Sequence, residues 1–196
     1  MWTIPNQITL FRIVLIPIFL IVFYLPLSWS HFGAFAVFWL AAVSDILDGY
    51  LARKLNQSSA FGAFIDPVAD KLMVVVALVM IAQDYQAWWI SVAAIIMIAR
   101  EVFISALREF MSSRGKRDII AVSNMGKYKT AAQMLGIMGL IWRPDYDIPL
   151  ILFYFPHEIL NFLSYAFYGI ATVLTVTTMV SYFKAAWPEL KGGSIN

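Results

Sequence analysis

The chain has 196 residues, of which 61% are hydrophobic and 13% charged, and its mean hydropathy is +0.76. A soluble domain carries roughly 45–50% apolar and about 25% charged residues, so this chain has too little polar surface to clothe a globule in water. The lack of cysteine excludes disulfides, a thiolate zinc site and a cysteine nucleophile, and a net charge of +2 gives no reason to expect a nucleic-acid partner.

Six apolar segments are predicted along the chain: Ile8–Leu27, Phe32–Leu51, Asp66–Ile81, Trp88–Leu107, Thr130–Trp142 and Ile159–Phe183. Most approach the roughly 20 residues that cross a bilayer. In lipid every backbone polar group needs an internal partner, and these segments lack the alternation of barrel strands, so they are read as helices. The fold expected is an all-α membrane bundle of six transmembrane helices, one domain over residues 1–196. The run after Ile8 lacks a small-residue cleavage site and is followed by further spans, so it reads as a retained span rather than a signal peptide. The third and fifth segments are short and are expected to extend into the amphipathic residues beside them.

The second and third segments carry the chemistry. Ser44-Asp-Ile-Leu-Asp-Gly-Tyr-Leu-Ala-Arg53 is followed by Phe61-Gly-Ala-Phe-Ile-Asp-Pro-Val-Ala-Asp-Lys71. Asp45, Asp48, Asp66 and Asp70 thus lie in or beside apolar helices. A carboxylate at a helix centre costs roughly 2.5–3.5 kcal/mol on insertion scales, which makes it a functional candidate. Asp45 and Asp48 are three residues apart and Asp66 and Asp70 four, so each pair shares one helix face. The short connection Arg53–Ala60 predicts antiparallel neighbours whose ends bring the four carboxylates together, with Pro67 in the first turn of the third helix. Four carboxylates would repel one another unless protonated or neutralised by cations. An all-oxygen set selects a hard cation, Mg²⁺, Mn²⁺ or Ca²⁺, and is large enough for two ions clamping phosphoryl oxygens. Gly49, Ala52 and Gly62 leave room beside the acids, and Arg53 can fork to a phosphate. Two other readings stay open: small residues that only pack helices while the acids pair with Arg53, Lys71 and Arg100, and a cation or proton transporter.

The loop between the fourth and fifth segments is basic, with Arg108, Arg114, Lys116, Arg117, Lys127 and Lys129. Arg53 and Lys54 follow the second segment, and Lys184 and Lys191 the sixth. The opposite loops hold Asp84, Asp145, Asp147 and one basic residue, Arg143. The positive-inside rule then places both termini and the basic loops in the cytoplasm. Part of this charge can be anchoring alone. Arg108, Lys127 and Lys129 border apolar helices near the membrane surface and are candidates for holding a phosphate. His31 and His157 fall in predicted loops, in solvent or headgroups rather than on a metal.

The spacing Asp45-x2-Asp48-Gly49-x2-Ala52-Arg53-x8-Gly62-x3-Asp66-x3-Asp70 resembles, at each fixed position, the signature of the CDP-alcohol phosphotransferase family. Ile4-Pro5-Asn6-x2-Thr9-x2-Arg12, Arg100-Glu101, Leu107-Arg108-Glu109-Phe110 and Gly126-Lys127-x-Lys129-Thr130 resemble the bacterial members that use glycerol 3-phosphate. The resemblance implies a bundle, usually a homodimer, whose polar cavity opens to the cytoplasm and to membrane lipids. It implies that Asp45, Asp48 and Asp66 bind Mg²⁺ or Mn²⁺, two ions in all, with Asp70 near the second ion and acting as base. Gly49, Ala52, Arg53 and Gly62 would contact the CDP group of CDP-diacylglycerol. The reaction implied is phosphatidyl transfer to glycerol 3-phosphate in the inner membrane, with inositol phosphate or serine as alternative acceptors.

Overall fold

A computed structural model of the chain describes residues 4–55, 60–116, 124–149 and 154–192. Its helices are α1 (Ile4–Tyr24), α2 (Ser30–Leu55), α3 (Ala60–Tyr85), α4 (Trp88–Ser113), α5 (Asn124–Trp142) and α6 (His157–Gly192). Between α5 and α6 lies a minimal antiparallel ribbon, β1 (Ile148–Pro149) against β2 (Tyr154–Phe155), with Ile148 opposite Phe155. Each predicted apolar segment falls on one helix. The first stops at Tyr24, short of the predicted Leu27, because Pro26 disfavours helical geometry at the residue before it. The third and fifth extend backward to Ala60 and Asn124, as their shortness demanded.

Among the described residues, four helices contain stretches long and apolar enough to cross a membrane: Asn6–Tyr24, Ser30–Leu47, Trp88–Ser113 and His157–Lys191. The other two pay less well in hydropathy. Helix α3 carries Asp66, Asp70, Lys71 and Asp84, and the 19-residue α5 holds two lysines beside glycine and polar residues. At 1.5 Å per residue the 36-residue α6 is about 54 Å long, well beyond a hydrocarbon core of roughly 30 Å.

Two expectations about α3 need correction. Pro67 lies well inside the helix, which begins at Ala60, and not in its first turn. It therefore leaves one interior carbonyl without its helical N–H donor. Helices α2 and α3 are also not close neighbours: among the described residues α1 packs on both, and they approach each other only slightly. The physical reason is electrostatic as well as steric. A cation on α1 stands between carboxylates that would otherwise face one another.

Successive helices alternate in direction. Phe19 of α1 meets Phe38 of α2 with ring centroids 6.3 Å apart, while Arg12 reaches Asp45, so the pair is antiparallel. Helices α5 and α6 are antiparallel too, and very close. A Cβ on Gly136 would stand 2.7 Å from the backbone nitrogen of Tyr168, and one on Gly139 would overlap Ser164. Backbone cannot yield as a side chain can, so only glycine at position 136 allows this approach. The Tyr85 hydroxyl donates to the Leu140 carbonyl and that of Tyr168 to the Ile90 carbonyl, each at 3.1 Å.

The main core runs through α1–α6 around Phe19, Phe38, Leu78, Met97, Ile137 and Tyr168. A smaller one, Ile104, Leu107, Met111, Tyr182 and Ala186, joins α4 to α6. Val14, Ile21, Val79, Ile95, Phe162 and Val173 are exposed on outward faces. So much exposed apolar surface is anomalous in water and natural against lipid. The starts of α1, α3 and α5 share one end of the bundle with the ends of α2, α4 and α6. There Lys116 pairs with Glu189 at 2.6 Å, while at the other end Arg143 pairs with Asp84 at 3.2 Å.

Candidate active site

Buried polar side chains gather toward the basic end: Asn6, Thr9 and Arg12 on α1, Ser44 on α2, Arg100 on α4, Lys129 and Gln133 on α5. A bundle in lipid buries such groups only where they are paired or line a cavity. A cavity of about 270 Å³ is there, with Asp45 and Asp70 on one wall and Arg100, Glu101, Arg108, Lys129 and Tyr182 on the other.

The acidic wall is built on Arg12. Its Nη1 donates to Asp45 Oδ1 at 2.7 Å and also to Asp70, while Nη2 lies 3.9 Å from Asp66 Oδ1. The Thr9 hydroxyl, one turn earlier on α1, donates to Asp66. The Arg12 side chain is only 4% exposed, whereas those of Asp45 and Asp70 are 44% and 45% exposed. The guanidinium is a floor beneath carboxylates whose other faces look outward. Three carboxylates against one buried cation leave net negative charge and open oxygen ligands, and this donor set fits a hard divalent cation. Asp66 belongs to the cluster but does not line the cavity. Gly62 is buried one turn before it. The side chains at Asp48, Ala52 and Arg53, and Gly49 beside them, lie outside the described residues, although α2 continues through these positions.

The basic wall is an ion-pair network. Glu101 accepts from Arg100 Nη1 at 3.0 Å and from Lys129 Nζ. Arg100 and Arg108 sit 6.0 and 5.9 Å from the centre of the Tyr182 ring, a spacing within reach of cation–π attraction. Three cations against one carboxylate leave this wall positive. Of the sequence candidates, Arg108 and Lys129 line the cavity with Asp45 and Asp70, while Lys127 is exposed and not among the lining residues. The sequence does not single out Arg100, Glu101 or Tyr182 for this wall, and Arg12 stands out in it only within a motif. The available signal for both arginines was a charge inside an apolar helix, the same signal that marked the aspartates.

A second group of metal-competent side chains, Asp147, His157 and Glu158, brings ligand atoms within 4.8 Å at the opposite end. Asp147 and Glu158 are exposed, His157 is half-buried, and the group is already engaged. His157 donates its backbone N–H to Asp147 at 3.1 Å and places Nδ1 2.9 Å from the same oxygen, closing the ribbon onto the start of α6. These bonds hold the Asp147 carboxyl below the usual carboxylate range.

The sequence profile of the CDP-alcohol phosphatidyltransferase family matches residues 2–183. The CDP-diacylglycerol–glycerol-3-phosphate 3-phosphatidyltransferase of Shigella flexneri serotype 5b (strain 8401) is 47% identical over 189 residues, 96% of this chain and 97% of the relative. The enzyme of the same name from Escherichia coli strain K12 matches with the same identity and coverage.

Proposed function

Because this chain belongs to the CDP-alcohol phosphatidyltransferase family, we propose that it moves the phosphatidyl group of CDP-diacylglycerol to glycerol 3-phosphate, giving phosphatidylglycerol phosphate and CMP. The observation that carries this reading is the pairing of walls in one cavity: Asp45 and Asp70 face Arg100, Arg108 and Lys129. A carboxylate wall suits a cation-bound pyrophosphate, and a wall with surplus positive charge suits the phosphate of a small acceptor.

Divalent metal is the family's usual cofactor. Asp45, Asp48, Asp66 and Asp70 would hold Mg²⁺ or Mn²⁺, two ions in this proposal, and the bound charge would act as a Lewis acid on the pyrophosphate. The chain's own groups do the rest. Arg108 and Lys129 hold the acceptor phosphate, with Arg100 lining the same wall, and the exposed Lys127 adds positive charge that draws anions in. Asp70 takes the proton of the acceptor hydroxyl. The hydroxyl oxygen bonds to the diacylglycerol-linked phosphorus, the phosphoanhydride bond breaks, and CMP leaves with the electron pair. Gly49, Ala52, Arg53 and Gly62 are assigned to the CDP group. Metal removal is expected to stop turnover, and persistent activity in rigorously metal-free protein would sink that assignment.

The test of function is CMP release from folded protein given CDP-diacylglycerol and Mg²⁺, with glycerol 3-phosphate, inositol phosphate or serine offered separately. Release with glycerol 3-phosphate alone is expected. Release only with inositol phosphate would keep the basic wall and change the acceptor; release with none would return the aspartates to a transport role.

The same reading puts all six helices across the inner membrane, with both termini and the cavity on the cytoplasmic side, as a homodimer. The lysines near the cavity end support this orientation. Since the chain has no cysteine, single cysteines placed at Lys116 and Asp145 report it directly. A membrane-impermeant thiol reagent added outside should label position 145 and spare 116; the reverse pattern would invert the topology.

A further inference from the structure

Arg12 is the feature of the site that the metal-and-nucleotide signature does not contain. Its guanidinium is buried at the base of the acidic wall and hydrogen-bonds Asp45 of α2 and Asp70 of α3 together, with Asp66 3.9 Å away. A charge of this kind inside an apolar bundle is kept only by its partners, and it holds those mutually repelling partners together. We infer that Arg12 is a positioning residue that serves as a permanent internal counterion, holding the carboxylates of α2 and α3 in place before any divalent ion arrives and weakening the ion's hold once it has. The inference rests on the metal reading of the aspartates.

The sign of its effect follows from two terms that act in the same direction. A fixed positive charge a few ångströms from a divalent ion repels it. It also relieves the mutual repulsion of the carboxylates, so that less is gained when the metal binds. Removing the charge while keeping a hydrogen-bond donor should therefore tighten metal binding. Turnover should fall nonetheless, because Asp70 loses the group that aims it. Were holding the ligands the larger part of Arg12's effect, its loss would instead loosen them and weaken the metal.

The experiment measures Mn²⁺ binding to purified protein by electron paramagnetic resonance, without substrates, in the wild type, Arg12→Gln and Arg12→Lys. Arg12→Gln is expected to bind Mn²⁺ roughly tenfold more tightly, on the scale of one added charge interaction in a partly screened site. Its kcat should fall. Arg12→Lys keeps the charge and should hold Mn²⁺ within about threefold of wild type, with reduced kcat because one ammonium on a shorter head cannot span Asp45, Asp70 and Asp66 as Nη1 and Nη2 together do. Equal or weaker Mn²⁺ binding by folded Arg12→Gln overturns the inference, as does an Arg12→Lys variant that shifts binding as far as Gln does. If Arg12→Gln is unfolded as purified, recovery of its thermal transition by Mn²⁺ supports the counterion role, and failure to recover overturns it. A wild type that binds no Mn²⁺ removes the metal reading itself and is thereby told apart from a failure of Arg12 alone.

Discussion

Asp70→Asn is expected to lower turnover by about 10²–10⁴-fold, the range that a positioned general base supplies, while CDP-diacylglycerol still binds. Asparagine keeps the size of the side chain and an oxygen that can accept from Arg12, the contact Asp70 makes in the fold. What it cannot do is take a proton. Asp70 is the acid proposed for this task; it lines the cavity, as Asp45 and Glu101 do. Asp66 sits one turn earlier, held by Thr9 and away from the lining. Measuring kcat at saturating Mg²⁺, together with equilibrium binding of CDP-diacylglycerol, separates base from ligand. Wild-type turnover in Asp70→Asn would remove it as the base. A parallel collapse of lipid binding would make it a donor-binding group instead.

How much of this site could be read from the chain depended on whether its parts were local. The aspartate pairs were legible because three- and four-residue spacings fix a helix face without knowledge of any neighbour. Four of the six helices were legible because apolar runs of membrane length are rare by chance, and the other two because shorter apolar runs lie between charged flanks. What joined the pairs was not local. The link between Asp45 and Asp70 is Arg12, 33 residues from the first and 58 from the second, and nothing in spacing alone puts α1 between α2 and α3. The short α2–α3 connection suggested direct contact, whereas burying one cation between the acids avoids their repulsion. Arg100 and Glu101 were hidden for a different reason. Adjacent helical residues point about 100° apart, so a face-based reading separates them, yet long side chains let both reach the same cavity wall. Pro67 was misplaced because its preference for a first turn is a tendency, and here small and apolar residues carry the helix back to Ala60.

The largest effect expected on the acceptor comes from Lys129. Its ammonium is buried, pairs with Glu101 and faces the cavity with Arg108. Lys129→Met should raise the KM for glycerol 3-phosphate about 10–100-fold, the equivalent of one charge-assisted hydrogen bond. The KM for CDP-diacylglycerol should change far less. Part of the loss is attraction removed, and part is repulsion revealed, because Glu101 then keeps only Arg100 as a partner and turns residual negative charge toward the incoming phosphate. The two parts can be separated. In Lys129→Met/Glu101→Gln the wall regains the surplus of two positive charges that it has in the wild type, so the double variant should recover a measurable share of the lost affinity despite lacking both side chains. That is the opposite of additive damage. Lys127→Ala, exposed and outside the lining, should change the same KM less and lose its effect in high salt, as a solvent-screened charge does. A double variant worse than either single change would mean that Glu101 touches the acceptor directly, through a hydroxyl, and that the basic wall reads more of the substrate than its phosphate.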